Sequence, residues 1–292
     1  MKTILVLTDF SDRSEHAAEV AWHMALRMEA ELLFYNAYYY MPQAEDTYTG
    51  VIPVHSRSYA AFEKESLEQL FELTDRLADR FSGDKKPSVR CQNGMGDLAE
   101  NVRDVLNKEN IWMIIMGDKR EEGLFTHLLY VSGASEVLKV ATCPVLMIPE
   151  KFSFHNLDRV ALALASFDQA DFWALKYVTQ MALPFDSEVI VIHVSAKKAH
   201  EKEGNRVLEE FYHQSGSIDY DKISFHDIQG DDITKSLVNF EQIAGLDMLA
   251  VVHKKHPFYE ELFHTSTTKQ LMGYHSIPLL VFPPAYIIEP GE

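Results

Sequence analysis

Repetition constrains this chain more than any other feature of its sequence. Ile111–Glu150 reads IWMIIMGDKREEGLFTHLLYVSGASEVLKVATCPVLMIPE, and Asp247–Pro284 reads DMLAVVHKKHPFYEELFHTSTTKQLMGYHSIPLLVFPP. Each passes from a buried strand through a polar loop and a short helix into a second apolar strand. Cys143-Pro144-Val145-Leu146-Met147 has its counterpart in Ile277-Pro278-Leu279-Leu280-Val281. At 292 residues the length fits about two domains of ordinary size. The expectation is two copies of one α/β domain, at 1–150 and 151–292, with Phe152–Asp158 as the linker.

The rest of the chain fits that pattern. Ile4–Thr8 is a continuous apolar run, as a parallel strand covered on both faces requires. Asp12 with Glu15 suggests a capping box, and Ala17, Ala18, Ala21, Met24, Ala25 and Met28 recur at helical spacing behind it. Leu32–Ala37 is the second strand. Tyr38–Arg57 is a long polar-aromatic connection with four tyrosines (Tyr38, Tyr39, Tyr40, Tyr48), and loops of that length are usually functional or mobile. A helix marked by Leu67, Leu70, Phe71, Leu77, Ala78 and Phe81 follows, then the strand Ser88–Gln92. Gly94-Met95-Gly96-Asp97 turns into a helix carrying Leu98, Val102, Val105 and Leu106. The second half repeats the route, with strands at Val160–Leu164, Glu188–Val194 and Lys222–Ile228, and Gly230-Asp231 in place of Gly96-Asp97. Alternating strands and helices give parallel sheets with helices on both faces.

Composition excludes several classes. An apolar content of 47% with 24% charged residues describes a globular chain rather than a disordered one. A formal charge of -17 argues against nucleic acid and against anionic membrane surfaces, both of which recruit Lys and Arg. No apolar run reaches the roughly 18 residues of a membrane helix. The start, MKTILVLTDFSD, turns acidic after one strand, unlike a signal peptide. Cys91 and Cys143 sit in strand-like contexts and read as buried thiols of a reducing compartment. The expected location is the cytoplasm.

These features together resemble the universal stress protein family in a tandem two-domain form. The resemblance rests on Ile4-Leu5-Val6-Leu7-Thr8-Asp9-Phe10-Ser11, the Gly96-Asp97 turn, Ile114-Ile115-Met116-Gly117 and Cys143-Pro144-Val145-Leu146. It implies two open five-stranded parallel sheets flanked by helices, of the adenine-nucleotide α-hydrolase-like type, with strand order 3-2-1-4-5. It also implies pairing of domains through their last strands, here Val145–Ile148 and Leu279–Phe282 within one chain. Such pairing would cover edges that otherwise invite aggregation.

Nucleotide-binding members carry a Gly-x2-Gly-x9-Gly-Ser/Thr loop, in which glycine lets the backbone approach the phosphates and a helix start holds them. Gly117 fits the first glycine, Arg120 stands at the second, and Val131-Ser132 occupies the Gly-Ser position with Gly133 beside it. The resemblance makes Asp9 the acid that contacts the nucleoside and Ala37 the residue whose backbone reads the base. The tentative nucleotide site of the first domain is thus Asp9, Ala37, Gly117, Arg120, Ser132 and Gly133, with ATP as the ligand. In the second domain Asp9 becomes Ala165, Gly117 becomes His253, Arg120 becomes His256 and the last glycine becomes Thr265, a degenerate copy.

Each candidate has a plainer reading. Asp9 could cap the first helix, Lys119 and Arg120 could be solvated loop charges, and Ser132 and Ser135 could be ordinary helix-opening serines. Gly94-x-Gly96-x-x-Ala99 with Asp118 matches the dinucleotide fingerprint formally, yet a turn needing glycine dihedrals explains it more simply. His253, His256, His264 and His275 match no zinc spacing. No nucleophile elbow and no Gly-Lys-Ser/Thr loop occurs, and no catalytic constellation is found. The leading expectation is a non-enzymatic cytoplasmic stress-response module, a pseudo-dimer within one chain that acts on protein partners or as a homodimer, without nucleic acid, membrane or metal. The alternative is an adenine-nucleotide switch with one site in the first domain.

Overall fold

A computed structural model describes residues 1–39, 59–83, 85–118, 132–164, 168–195, 208–213, 215–230, 233–253 and 277–286. It divides into two compact units, Met1–Gly117 and Asp118–Glu292.

The first unit holds β1 (Thr3–Leu7), α1 (Asp12–Met28), β2 (Glu31–Tyr38), α2 (Tyr59–Arg80), β3 (Ser88–Met95), α3 (Leu98–Lys108) and β4 (Ile111–Gly117). Its strands lie in the order β3-β2-β1-β4, and β1 pairs in parallel with both β2 and β4. All five residues of β1 are buried, as the continuous apolar run requires of a strand covered on both faces. The periodic residues of α1 are buried too, and Trp22 beside them is only 1% exposed. The expected capping box differs in detail. Ser11, not Asp12, is the N-cap, and its hydroxyl accepts from the Ser14 N–H. Asp12 begins the first turn, where a carboxylate suits the positive end of the helix dipole.

Gly94 also departs from expectation, because β3 runs on to Met95 and contains it. A Cβ at Gly94 would lie 2.2 Å from Tyr35 Oη and 1.9 Å from Asn101 Oδ1, two atoms joined by a 2.7 Å hydrogen bond. Gly94 therefore leaves room for that bond. Gly96 makes the turn at φ 102°, where side chains are strained. Asp97 then caps α3 by accepting from the Glu100 N–H at 3.0 Å. Both glycines of the formal dinucleotide fingerprint thus have structural reasons. At the amino ends of the strands, Arg90 bridges Glu31 and Glu109 at 3.1 and 2.9 Å.

The second unit holds α4 (Ser132–Val140), β5 (Val145–Ile148), β6 (Arg159–Leu164), α5 (Gln169–Ala182), β7 (Glu188–Ser195), β8 (Ile223–Gln229), α6 (Ile233–Ala244), β9 (Met248–Val252) and β10 (Leu279–Phe282). Its strand order is β5-β10-β9-β6-β7-β8. Read from the far edge, β8-β7-β6-β9-β10 is the expected 3-2-1-4-5 sheet of the second repeat. The first repeat shows the same order through its four strands in the first unit. Its last strand, β5, pairs antiparallel with β10 through Val145–Val281, Leu146–Leu280 and Met147–Leu279. Both strands are fully buried, so this last-strand pairing is sealed by apolar side chains as well as by backbone bonds. Among the described residues no helix is long and apolar enough to cross a membrane.

Candidate functional site

In open parallel sheets the ligand crevice lies beyond the carboxyl ends of the strands, where strand order reverses. In the first unit that point falls between β1 and β4. The structure brings Asp9, Ala37 and Gly117 to this end of the sheet, directly after or within the last turns of β1, β2 and β4.

The chain leaves β1 through a tight, strained corner. Thr8 continues the ladder by donating its N–H to Tyr35 O at 3.0 Å. Phe10 is then left-handed, with φ 62°, a conformation that costs a side-chain-bearing residue about 1 kcal/mol or more. Local hydrogen bonds hold it there: the Phe10 N–H donates to Thr8 Oγ1 at 3.0 Å, and the Ser11 N–H to Asp9 Oδ1 at 3.1 Å. The Ser11 hydroxyl also donates to Asp9 Oδ1. Asp9 therefore does not cap α1 itself; it orients the serine that does. Burial alone would raise the Asp9 carboxyl, but the Ser11 and Ser14 hydrogen bonds outweigh it and hold the group below the usual carboxylate range. An ionised acid is thus presented at the exposed corner.

Gly117 has a steric reason of its own. A Cβ there would come within 2.8 Å of the Arg13 carbonyl oxygen and 3.2 Å of the Ser14 nitrogen. The end of β4 lies against the backbone of the first turn of α1, and only glycine permits that approach.

Ala37 sits past the last β1–β2 pair, Leu7 with Tyr35. Strand parity gives it the orientation of Tyr35, so its N–H and C=O face the side that β1 has just left. Sequence reasoning missed its neighbour Asn36. This side chain is 6% exposed, donates to Thr8 O at 2.8 Å and accepts from Ser66 Oγ of α2 at 2.8 Å. The signal was a lone amide inside the run Leu32-Leu33-Phe34-Tyr35-Asn36-Ala37.

Arg120 and Lys119 lie outside the described residues, as does most of Tyr38–Arg57. Ser132 and Gly133 open α4 in the second unit, and a Cβ on Gly133 would meet nothing within 4 Å.

The second repeat ends its strands differently. Matching registers (Ile4 with Met113, Val160 with Met248) and matching bonds (Asp118 N–H to Ile148 O at 2.8 Å, His253 N–H to Phe282 O at 3.0 Å) make Asp118 equivalent to His253. The counterpart of Gly117 is therefore Val252, a correction of one residue. α5 begins one position later than α1, with Asp168 as N-cap and a true capping box to Asp171. Asn36 is replaced by His193, whose Nδ1 lies 2.9 Å from Asp227 Oδ1. Ala165, His256, Thr265, His264 and His275 lie outside the described residues, and no metal-holding cluster occurs among the described ones.

A parallel α/β unit with strand order β3-β2-β1-β4 and a switch point between β1 and β4 defines a class of open, doubly wound domains. The family model of the universal stress protein family matches residues 1–149, and the chain belongs to that family. Universal stress protein YxiE of Bacillus subtilis (strain 168) is 21% identical over 145 residues, covering 50% of this chain and 97% of the relative. The crystal structure of a universal stress protein from Archaeoglobus fulgidus DSM 4304 superposes with a TM-score of 0.67 at 19% identity, covering 97% of this chain and 96% of its own. A functionally unknown protein of Pseudomonas aeruginosa PAO1 gives 0.65 at 14% identity, over 99% and 94%. The two structures share the fold.

Proposed function

We propose that this chain is a non-enzymatic, cytoplasmic stress-response module of two repeats, 1–150 and 151–292, in which only the first binds an adenine nucleotide. The observation that supports the reading is that Asp9, Ala37 and Gly117 all lie at the carboxyl ends of neighbouring strands, β1, β2 and β4, beside the switch point of the first sheet. Asp9 supplies a carboxylate for ribose hydroxyls, and the Ala37 backbone supplies a donor and an acceptor for a base. Arg120, Ser132 and Gly133 remain the candidates from sequence for the phosphates. The β5–β10 pairing supports a pseudo-dimer within one chain, whose output would be a contact with protein partners or a second copy.

Thermal unfolding with and without ATP and magnesium tests this reading. A ligand at 100 times its dissociation constant adds about 2.7 kcal/mol. A clear upward shift in wild type, absent in Asp9→Ala, is the expected result.

A second reading, a ligand-free scaffold, draws on one observation: Asp9 is already engaged by Ser11. It predicts no nucleotide-dependent shift in wild type or in Asp9→Ala.

A further inference from the structure

β3 is the outermost strand of the first unit, and one of its edges has no neighbour among the described residues. The Gly96 N–H donates to Tyr38 O at 2.9 Å, which turns the peptide groups of alternate residues toward β2. By that alternation the N–H and C=O groups of Val89, Cys91 and Asn93 point outward. The side chains of Cys91 and Asn93 lie under α2: Cys91 Sγ is 3.5 Å from Thr74 Oγ1, and Asn93 Nδ2 donates to Glu63 O at 2.8 Å.

Helix α2 overhangs this edge with an apolar flank. It buries Ser66, Leu70, Leu73 and Leu77, and on the α1 side Arg76 and Arg80 bond Glu15 and Glu19. Leu67, Phe71, Thr74 and Ala78 follow at helical steps, so they share the opposite flank, where Thr74 meets Cys91. Phe71 is 55% exposed there. Glu72 and Asp75 flank it, exposed and outside any ion pair among the described residues.

The second repeat finishes the same place differently. Phe225 of β8 stands at the position of Cys91, and Phe211, itself 2% exposed, packs on its ring with centroids 5.0 Å apart. That edge carries its own aromatic cover. The first edge has a small thiol below and a phenyl turned outward.

We propose that the β3 edge and the outer flank of α2 form a strand-addition site for an extended segment of a partner protein, with an aliphatic side chain for Phe71 and lysine or arginine two residues to either side of it. Backbone pairing gives such a site its affinity, and side-chain contacts give it its choice of partner. Side chains two apart on a strand share a face, so the basic pair would straddle Phe71 and reach toward Glu72 and Asp75. A second copy would instead bring like carboxylates together, with a charge of -17 on each chain. The inference rests on the partner contact proposed above, to which it gives a place and a chemistry, and not on nucleotide binding.

The test uses the full chain and a labelled, capped peptide of threonines with a central leucine and a lysine two residues to either side. A shuffled peptide of the same composition, with its lysines adjacent, controls for charge alone. Fluorescence anisotropy should show saturable binding of the patterned peptide, about tenfold weaker for Phe71→Ser, the scale of one aromatic anchor. Phe71 is exposed enough that the variant should melt near wild type. Amide exchange should show the Cys91 and Asn93 N–H groups protected by the peptide. No binding, equal binding of the shuffled peptide, equal affinity for Phe71→Ser, or binding without that protection overturns the proposal. Protection that grows with protein concentration alone would assign the edge to a second copy, and overturns it too. The nucleotide reading is decided separately, by the ATP-dependent thermal shift.

Discussion

The carboxyl ends of the two repeats share one strand register and are finished with different chemistry. In the first, Gly117 lets β4 lie against the first turn of α1, Asp9 holds an ionised carboxylate at the corner, and Asn36 donates to the Thr8 carbonyl just past the last β1–β2 pair. In the second, Val252 stands at the glycine position, the helix starts one residue later, and a His193–Asp227 pair ties β7 to β8. One sheet thus carries two finishes among the described residues, a glycine-tight corner in the first repeat and a side-chain tie between outer strands in the second.

Exchanging residues between the repeats sharpens this contrast. The largest effect is expected for Gly117→Val, which copies Val252. Its side chain would meet backbone atoms of α1 at about 3 Å, and forced overpacking of this kind costs about 3 kcal/mol. Urea unfolding should show that loss, whereas Val252→Gly should cost only about 1 kcal/mol from chain entropy and lost packing. Equal losses would mean that the close approach at Gly117 does not set the corner.

Next comes Asp227→Ala, which deprives the buried His193 of its carboxylate. A stranded buried polar group costs about 2 kcal/mol, and the double variant with His193→Leu should recover part of it. Gly94→Ala follows at about 1.5 kcal/mol, because the displaced atoms are the ends of two side chains that can move apart at the cost of their hydrogen bond. The second repeat has Ile228 at this position, since Ile192 replaces Tyr35 and leaves no hydroxyl to accommodate.

The smallest effect is a pH dependence in the first repeat. The Arg90 hydrogen bonds hold the Glu109 carboxyl below its ordinary value of 4.5. A lowered folded value adds stability above that pH and loses it as pH falls through the folded value. The group is well solvated, so the gain is modest. Arg90→Gln should flatten the acid limb of a stability profile below pH 4.5; an unchanged limb would show that the pair contributes nothing.

Much of the fold was legible because parallel strands buried on both faces write themselves as apolar runs, and α1 and α3 mark their buried faces every three or four residues. The family resemblance predicted the last-strand partners. Local hydrogen bonding was less legible. Ser11, Asp12 and Glu15 offer two competing caps, and only the backbone decides between them. Gly94 looked like a turn residue because its true reason, the Tyr35–Asn101 bond, joins positions 66 residues apart. Counting through the polar loops placed His253 opposite Gly117, and the strand register moved the match to Val252. The role of Asn36 in tying β1, β2 and α2 together was invisible: one amide in a strand carries no motif until its partners, Thr8 and Ser66, are seen.

The asymmetry of the two repeats is tested most directly by the stoichiometry of nucleotide binding, measured by equilibrium dialysis of magnesium ATP against the full chain and Asp9→Ala. The account predicts one nucleotide per chain in wild type and none in the variant. Two per chain, or one that survives Asp9→Ala, would contradict it.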